Sequence, residues 1–105
     1  MAVLFADICD STSLYHKLGD ASARNVVNAC LSVVTGVLPR YDGRAVKTIG
    51  DEVMCVFPST DLAVLAASEM QSLVSSTKPG DYPVMIHVGL HYGPVLIEKD
   101  DVFGD

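Results

Sequence analysis

Arg44-Ala45-Val46-Lys47-Thr48-Ile49-Gly50-Asp51-Glu52-Val53-Met54-Cys55-Val56-Phe57 reads as two short strands joined by Gly50-Asp51. Glycine followed by a polar residue suits a two-residue type II′ hairpin turn, and Pro58 closes the second strand. Helical patterns flank this hairpin on both sides. Upstream, Asp20 is expected to cap a helix running to about Tyr41, ended by Asp42-Gly43. Ala23, Val27, Cys30, Val34 and Val37 recur along it at helical spacing, so one face is core. Its many valines are poor helix formers, so tertiary packing must hold it. Downstream, Ser59 or Thr60 caps a helix to about Thr77, with Ala63, Ala67, Met70 and Val74 on one face.

Further out, Val3 to Ile8 is an apolar run that reads as a buried strand. Asp10-Ser11-Thr12-Ser13 is a turn with helix-capping chemistry, followed by a short helix over Ser13 to Leu18 that Gly19 stops. Lys78-Pro79-Gly80-Asp81 is a loop. Val84 to Tyr92 is a strand with Met85, His87, Gly89 and His91 on one side. Gly93-Pro94 turns the chain into a last strand, Val95 to Glu98. The order is β-α-β-β-α-β plus one strand, which predicts an α+β, ferredoxin-like sandwich with one extra strand.

That topology has a chemical consequence. Its third strand lies between the first and second and runs antiparallel to both. Asp7 ends the first strand and Asp51 precedes the third, so the two carboxylates are expected side by side. Adjacent carboxylates repel unless a cation or proton lies between them. Hard divalent cations take such oxygens, and two magnesium ions held this way would clamp a triphosphate. Gly50 lets the backbone approach a ligand, Ile8 has a carbonyl to lend, and Ser11 and Thr12 offer hydroxyls and helix-start N–H groups to phosphate oxygens. Taken singly, Asp51 reads as a turn residue. Asp7 is harder to leave unexplained, because a charge ending a buried strand costs free energy unless it is satisfied.

Composition bounds the rest. The 105 residues make one domain, half of them hydrophobic, with a formal net charge of −6. An acidic chain without a Lys/Arg run argues against nucleic acid as a partner. Cys9, Cys30 and Cys55 have no metal-ligand spacing, and Cys30 and Cys55 sit in apolar patterns as buried thiols, which suits a reducing, cytoplasmic setting. His16, His87 and His91 do not cluster with them, so no zinc site is expected. No apolar run approaches the roughly 20 residues that span a bilayer, and the N-terminus lacks the basic region of a signal peptide, so no membrane contact is expected from this chain. A P-loop and a nucleophile elbow are both missing. His87 and His91, alternating on one strand face, read as core or edge packing.

Four blocks in register carry a family resemblance. They are Phe5-Ala6-Asp7-Ile8 with Ser11-Thr12; Lys47-Thr48-Ile49-Gly50-Asp51-Glu52-Val53-Met54; Val88-Gly89-Leu90-His91-Tyr92-Gly93-Pro94-Val95; and Asp101-Val102-Phe103-Gly104-Asp105. Together they resemble a class III adenylyl/guanylyl cyclase catalytic domain over essentially the whole chain. The resemblance implies that Asp7 and Asp51 bind two Mg²⁺ or Mn²⁺ ions and that Ile8 adds its carbonyl. It implies that Lys47 and Asp101 read the purine. Adenine presents an amino donor to a carboxylate and a ring acceptor to an ammonium, whereas guanine would turn a carbonyl oxygen toward Asp101. ATP is therefore the expected substrate and cyclic AMP the product. The resemblance also implies a homodimer with the site at its interface, metal aspartates from one protomer and purine readers from the other.

Two departures qualify this. The family often has glycine where this chain has Asp10, and an extra carboxylate there would repel phosphates unless it turns away or joins the metal shell. The family's transition-state Asn and Arg lie on a helix past the position of Gly104-Asp105, so residues 1–105 are expected to be a catalytic domain incomplete at its C-terminal end, with little turnover of its own. The competing reading is a non-catalytic, cyclase-like dimerisation or regulatory module. A diguanylate cyclase relative is disfavoured, because Ile49 stands where a second glycine would help it.

Overall fold

The computed structural model describes residues 1–92 in full and the backbone of Val95–Glu98 and Asp101–Gly104. The elements run β1 (Ala2–Ile8), α1 (Ser11–Leu18), α2 (Asp20–Val37), β2 (Arg44–Ile49), β3 (Glu52–Phe57), α3 (Thr60–Thr77), β4 (Ile86–Tyr92), β5 (Val95–Glu98) and β6 (Asp101–Gly104). β1 to β4 form one antiparallel sheet in the order β2-β3-β1-β4. The third strand thus lies between the first and second, as the ferredoxin-like reading requires. β5 and β6 pair separately as a two-stranded ribbon; β6 is an element the sequence reading did not include. The turn expected at Gly93-Pro94 lies outside the described residues.

The sheet has two unlike faces. Leu4, Ala6 and Ile8 of β1 and Val53, Cys55 and Phe57 of β3 form one core with Ala23, Val27, Cys30, Val34 and Val37 of α2 and Ala63, Ala66, Met70 and Val74 of α3. The α2 stripe is the one its spacing predicts. On α3, Ala66 is fully buried where Ala67 was expected and Ala67 packs at the margin. The opposite, helix-free face holds a smaller cluster of Val3, Val46, Met54 and Val56, with Phe5 packed against it.

Local chemistry moved several element ends. α1 begins at Ser11 rather than Ser13, and Asp10 at its N-cap position makes no side-chain capping bond. α2 is capped by Gly19 at φ 80°, so Asp20 is its first helical residue instead of its cap. Pro39 cannot donate an α-helical hydrogen bond, and α2 passes into a 3₁₀ turn over Leu38–Tyr41. Ser59 does cap α3, accepting from the Leu62 N–H at 3.3 Å. β4 starts at Ile86, not Val84; Pro83, which has no N–H for a ladder, stands just upstream.

By length and composition, Asp20–Tyr41 passes as a possible membrane span, with mean hydropathy 1.2, contrary to the expectation that no segment would. The buried stripe of α2 packs in the core, which accounts for that apolarity.

Candidate active site

β1 brings Asp7 to the sheet edge where the β2–β3 hairpin turns. The alternation of β1 buries Ala6 and Ile8 among the helices and leaves Asp7 on the helix-free face, its side chain 40% exposed. Its cross-strand partners are Glu52 on β3 and His87 on β4. Asp51, expected beside Asp7, is the residue before Glu52, in the turn itself. Gly50 takes φ 59° while Asp51 has no positive φ, the sign pattern of a type II′ turn. Ile49 pairs with Glu52, so the hairpin closes through two residues.

Sequence reading missed both direct neighbours of Asp7. Glu52 was recoverable, since a two-residue turn fixes the β3 register and the β1–β3 pairing follows from it. His87 was read as packing; its imidazole instead stands over the carboxylate, Nδ1 at 3.8 Å from Asp7 Oδ1, and 76% exposed. Further along β4, His91 Nε2 is buried with no hydrogen-bond partner among the described residues.

The loop after Asp7 feels the accumulated negative charge. Burial pushes the Cys9 thiol up from its ordinary value, and the charges of Asp7 and Asp10 push it further. The Cys9 N–H donates to the Met85 carbonyl at 2.9 Å, tying this loop to the segment before β4. Asp10 is exposed, with φ 55° and ψ 39°. That left-handed backbone suits glycine best, which is the physical reason glycine fits this position.

Ser11 and Thr12 occupy the first turn of α1, where helical N–H groups lack intrahelical acceptors. They line a 330 Å³ cavity with Tyr15, His16 and Asp20. A larger cavity of 470 Å³ lies behind the loop, between Cys9, Leu14, Lys17, Ser75 and the Tyr82–Met85 segment. Neither of these two cavities is lined by Asp7 or Asp51. Lys47 lies on β2 opposite Met54, on the same helix-free face as Asp7 and partly buried. The backbone of β6, which includes Asp101, approaches β2. The side chain of Asp101, and Asp105, lie outside the described residues.

Among the described residues no three His, Cys, Asp or Glu side chains are grouped closely enough to enclose a metal ion. The donors here are carboxylates at a sheet edge, that of Asp7 40% exposed. Magnesium is commonly held by one or two carboxylates with substrate phosphates completing its shell, so this set fits such an ion arriving with a nucleotide better than a closed cage.

An antiparallel ferredoxin-like sheet with carboxylates where β1 ends and the β2–β3 hairpin turns is compatible with a nucleotide-cyclase type of catalytic domain. The chain belongs to the adenylate and guanylate cyclase catalytic domain family, whose model matches residues 1–105. It is 35% identical to an uncharacterized protein of Mycobacterium tuberculosis over 101 residues, 96% of this chain and 26% of that protein. It is 31% identical to an adenylate cyclase of Streptomyces coelicolor over 104 residues, 99% of this chain and 26% of that protein. A solved bacterial light-regulated adenylyl cyclase superposes with a TM-score of 0.81 at 26% identity, covering 90% of this chain and 31% of that one. The chain therefore spans about a quarter of the length of these curated relatives.

Proposed function

We propose that this domain acts in adenylate cyclisation, converting ATP to 3′,5′-cyclic AMP and pyrophosphate as a cytoplasmic homodimer in signal transduction. The observation that carries the reading is the pairing of Asp7 with Glu52, the residue that follows the Gly50–Asp51 turn, on the sheet face that also carries Lys47. The naming of matched relatives as adenylate cyclases supports the choice of reaction.

Asp7 and Asp51 would hold two Mg²⁺ or Mn²⁺ ions, and the Ile8 carbonyl would add a further oxygen. When bound, such ions make the ribose 3′-hydroxyl more acidic and offset charge on the leaving pyrophosphate. Held against the Gly50 turn and the first turn of α1, the triphosphate would lie with its α-phosphorus in line with that hydroxyl. Gly50, with no side chain, lets the turn approach the phosphates, and the first turn of α1 presents Ser11 and Thr12 to their oxygens. Lys47 donates to an adenine ring nitrogen and Asp101 accepts from its amino group. In the homodimer these purine readers serve the aspartates of the partner protomer.

The test is product analysis with ATP or GTP and Mn²⁺, made on the longest form of the protein in hand. Cyclic AMP is expected from ATP, with at least about a hundredfold loss in Asp51→Ala, the scale of losing a metal-held phosphate. Nucleotide binding by a folded dimer without any cyclic product would instead support the non-catalytic dimerisation or regulatory module.

A further inference from the structure

The strand that carries Lys47 is irregular. Pairing between β2 and β3 runs Arg44↔Val56 and Ala45↔Cys55, skips Val46, and resumes at Lys47↔Met54, Thr48↔Val53 and Ile49↔Glu52. Val46 is thus an extra residue, a β-bulge. Successive side chains of a regular strand point to opposite faces. Here two successive residues share the helix-free face. Val46 is 8% exposed and packs with Val3, Met54 and Val56, while Lys47 lies opposite Met54. The face of Lys47 is already set by the turn, through Ile49↔Glu52, so the bulge is not needed to place Lys47 on it. What a bulge adds is a local bend and extra twist, which re-aim the side chain beside it.

This matters because lysine is a poor discriminator unless it is held. Its ammonium is a mobile point charge on a four-carbon stem and donates to any acceptor in reach. Adenine offers an acceptor at ring position 1, where guanine has an N–H. Guanine in turn offers a carbonyl at position 6, a short slide away. A loosely held Lys47 would satisfy either base.

We propose that the β2 bulge is a specificity device: Val46, anchored in the apolar cluster, fixes the backbone from which Lys47 rises, so that its ammonium meets adenine position 1 and cannot slide to a guanine carbonyl. Val46 is a positioning residue and touches no substrate. The inference rests on the reading that Lys47 faces the purine, but it is separable from it.

The experiment measures equilibrium affinities of the 105-residue chain for ATP, GTP and purine-free tripolyphosphate in Mn²⁺, with thermal melting as the check on folding. Four proteins are compared: the unaltered chain, Lys47→Ala, Val46→Ala and a deletion of Val46. The deletion should lower the ATP-to-GTP affinity ratio about tenfold, the value of one well-made hydrogen bond, with tripolyphosphate affinity unchanged. Val46→Ala should lower the ratio about threefold, since it loosens the anchor and keeps the bulge. If Lys47→Ala collapses the ratio while both Val46 variants keep it, the bulge inference falls and the Lys47 reading stands. If Lys47→Ala leaves the ratio unchanged, or the unaltered chain does not prefer ATP, both fall. Should the deletion not fold, Val46→Ala decides by the same criterion.

Discussion

Asp10 pays for its position in backbone strain. It sits in the left-handed region at φ 55° without a side-chain capping bond in return. Asp10→Gly should therefore raise stability by about 1 kcal/mol, less the extra freedom glycine gains when unfolded, as read by urea denaturation. It also removes a charge near Cys9, whose thiol should titrate lower in the variant. Gly43 is the converse case, because a Cβ there would overlap the Phe57 ring. Gly43→Ala should cost about 1–3 kcal/mol, since Phe57 is itself fully buried and has little room to yield. The three thiols should separate by reactivity. Burial pushes Cys30 up to about 11 and Cys55 up to about 12, so a thiol reagent at neutral pH should modify partly exposed Cys9 first, and the other two only after unfolding. Burial of Cys30 and Cys55 was legible from their apolar patterns. The strain at Asp10 was not, because residue type alone does not reveal a dihedral angle.

At the scale of elements, hydrophobic period carried most of the legible information. Ala23, Val27, Cys30, Val34 and Val37 are all buried, as a 3.6-residue repeat requires, and the Gly50–Asp51 hairpin closes through the expected two residues. Element ends were less legible, because Asp10 and Asp20 are good capping types that here make no capping bond. The bulge at Val46 was hidden for a related reason: Arg44 to Ile49 has no alternation strong enough to show a skipped residue. One tertiary staple was equally invisible. Arg40 and Tyr41, in the turn after α2, both reach Glu69 on α3, Arg40 as an ion pair and the Tyr41 hydroxyl donating at 2.8 Å. That hydrogen bond, together with partial desolvation and the Glu69 charge, raises the Tyr41 phenol above its ordinary value. The bond needs the protonated phenol. Its contribution is thus complete below the ordinary phenol range and is lost as pH rises through the raised folded value. Alkaline titration followed by ultraviolet absorbance, with Tyr41→Phe assigning the signal, should show Tyr41 returning downward in Glu69→Gln.

For the whole molecule, the two faces of the sheet divide the labour. Helices seal one face, and the other carries Asp7, Glu52, His87 and Lys47 beside a small apolar cluster. A site shared between protomers predicts complementation. Asp51→Ala and Lys47→Ala are each inactive alone if the aspartates and the purine readers come from different copies. Mixed in equal amounts, they should recover about a quarter of full cyclic AMP formation, because half the dimers are mixed and each has one intact site. No recovery, with subunit exchange verified, would place both groups within one copy. The adjacency of Asp7 to the hairpin tip was legible from strand order alone, whereas His87 over Asp7 needed the β1–β4 register, which no turn residue announces. The same strand order bears on how the chain is made. Within this domain β1 precedes every strand it pairs with, yet it lies in the interior of the sheet, with Ala2 paired to Phe57 on one side and Tyr92 on the other. Its ladders cannot close until β3 and then β4 have been made, so its apolar run must wait for partners distant in sequence. Refolding should accordingly be slow for a domain of this size, in milliseconds to seconds, and β1 is the segment that most needs a chaperone until its partners form.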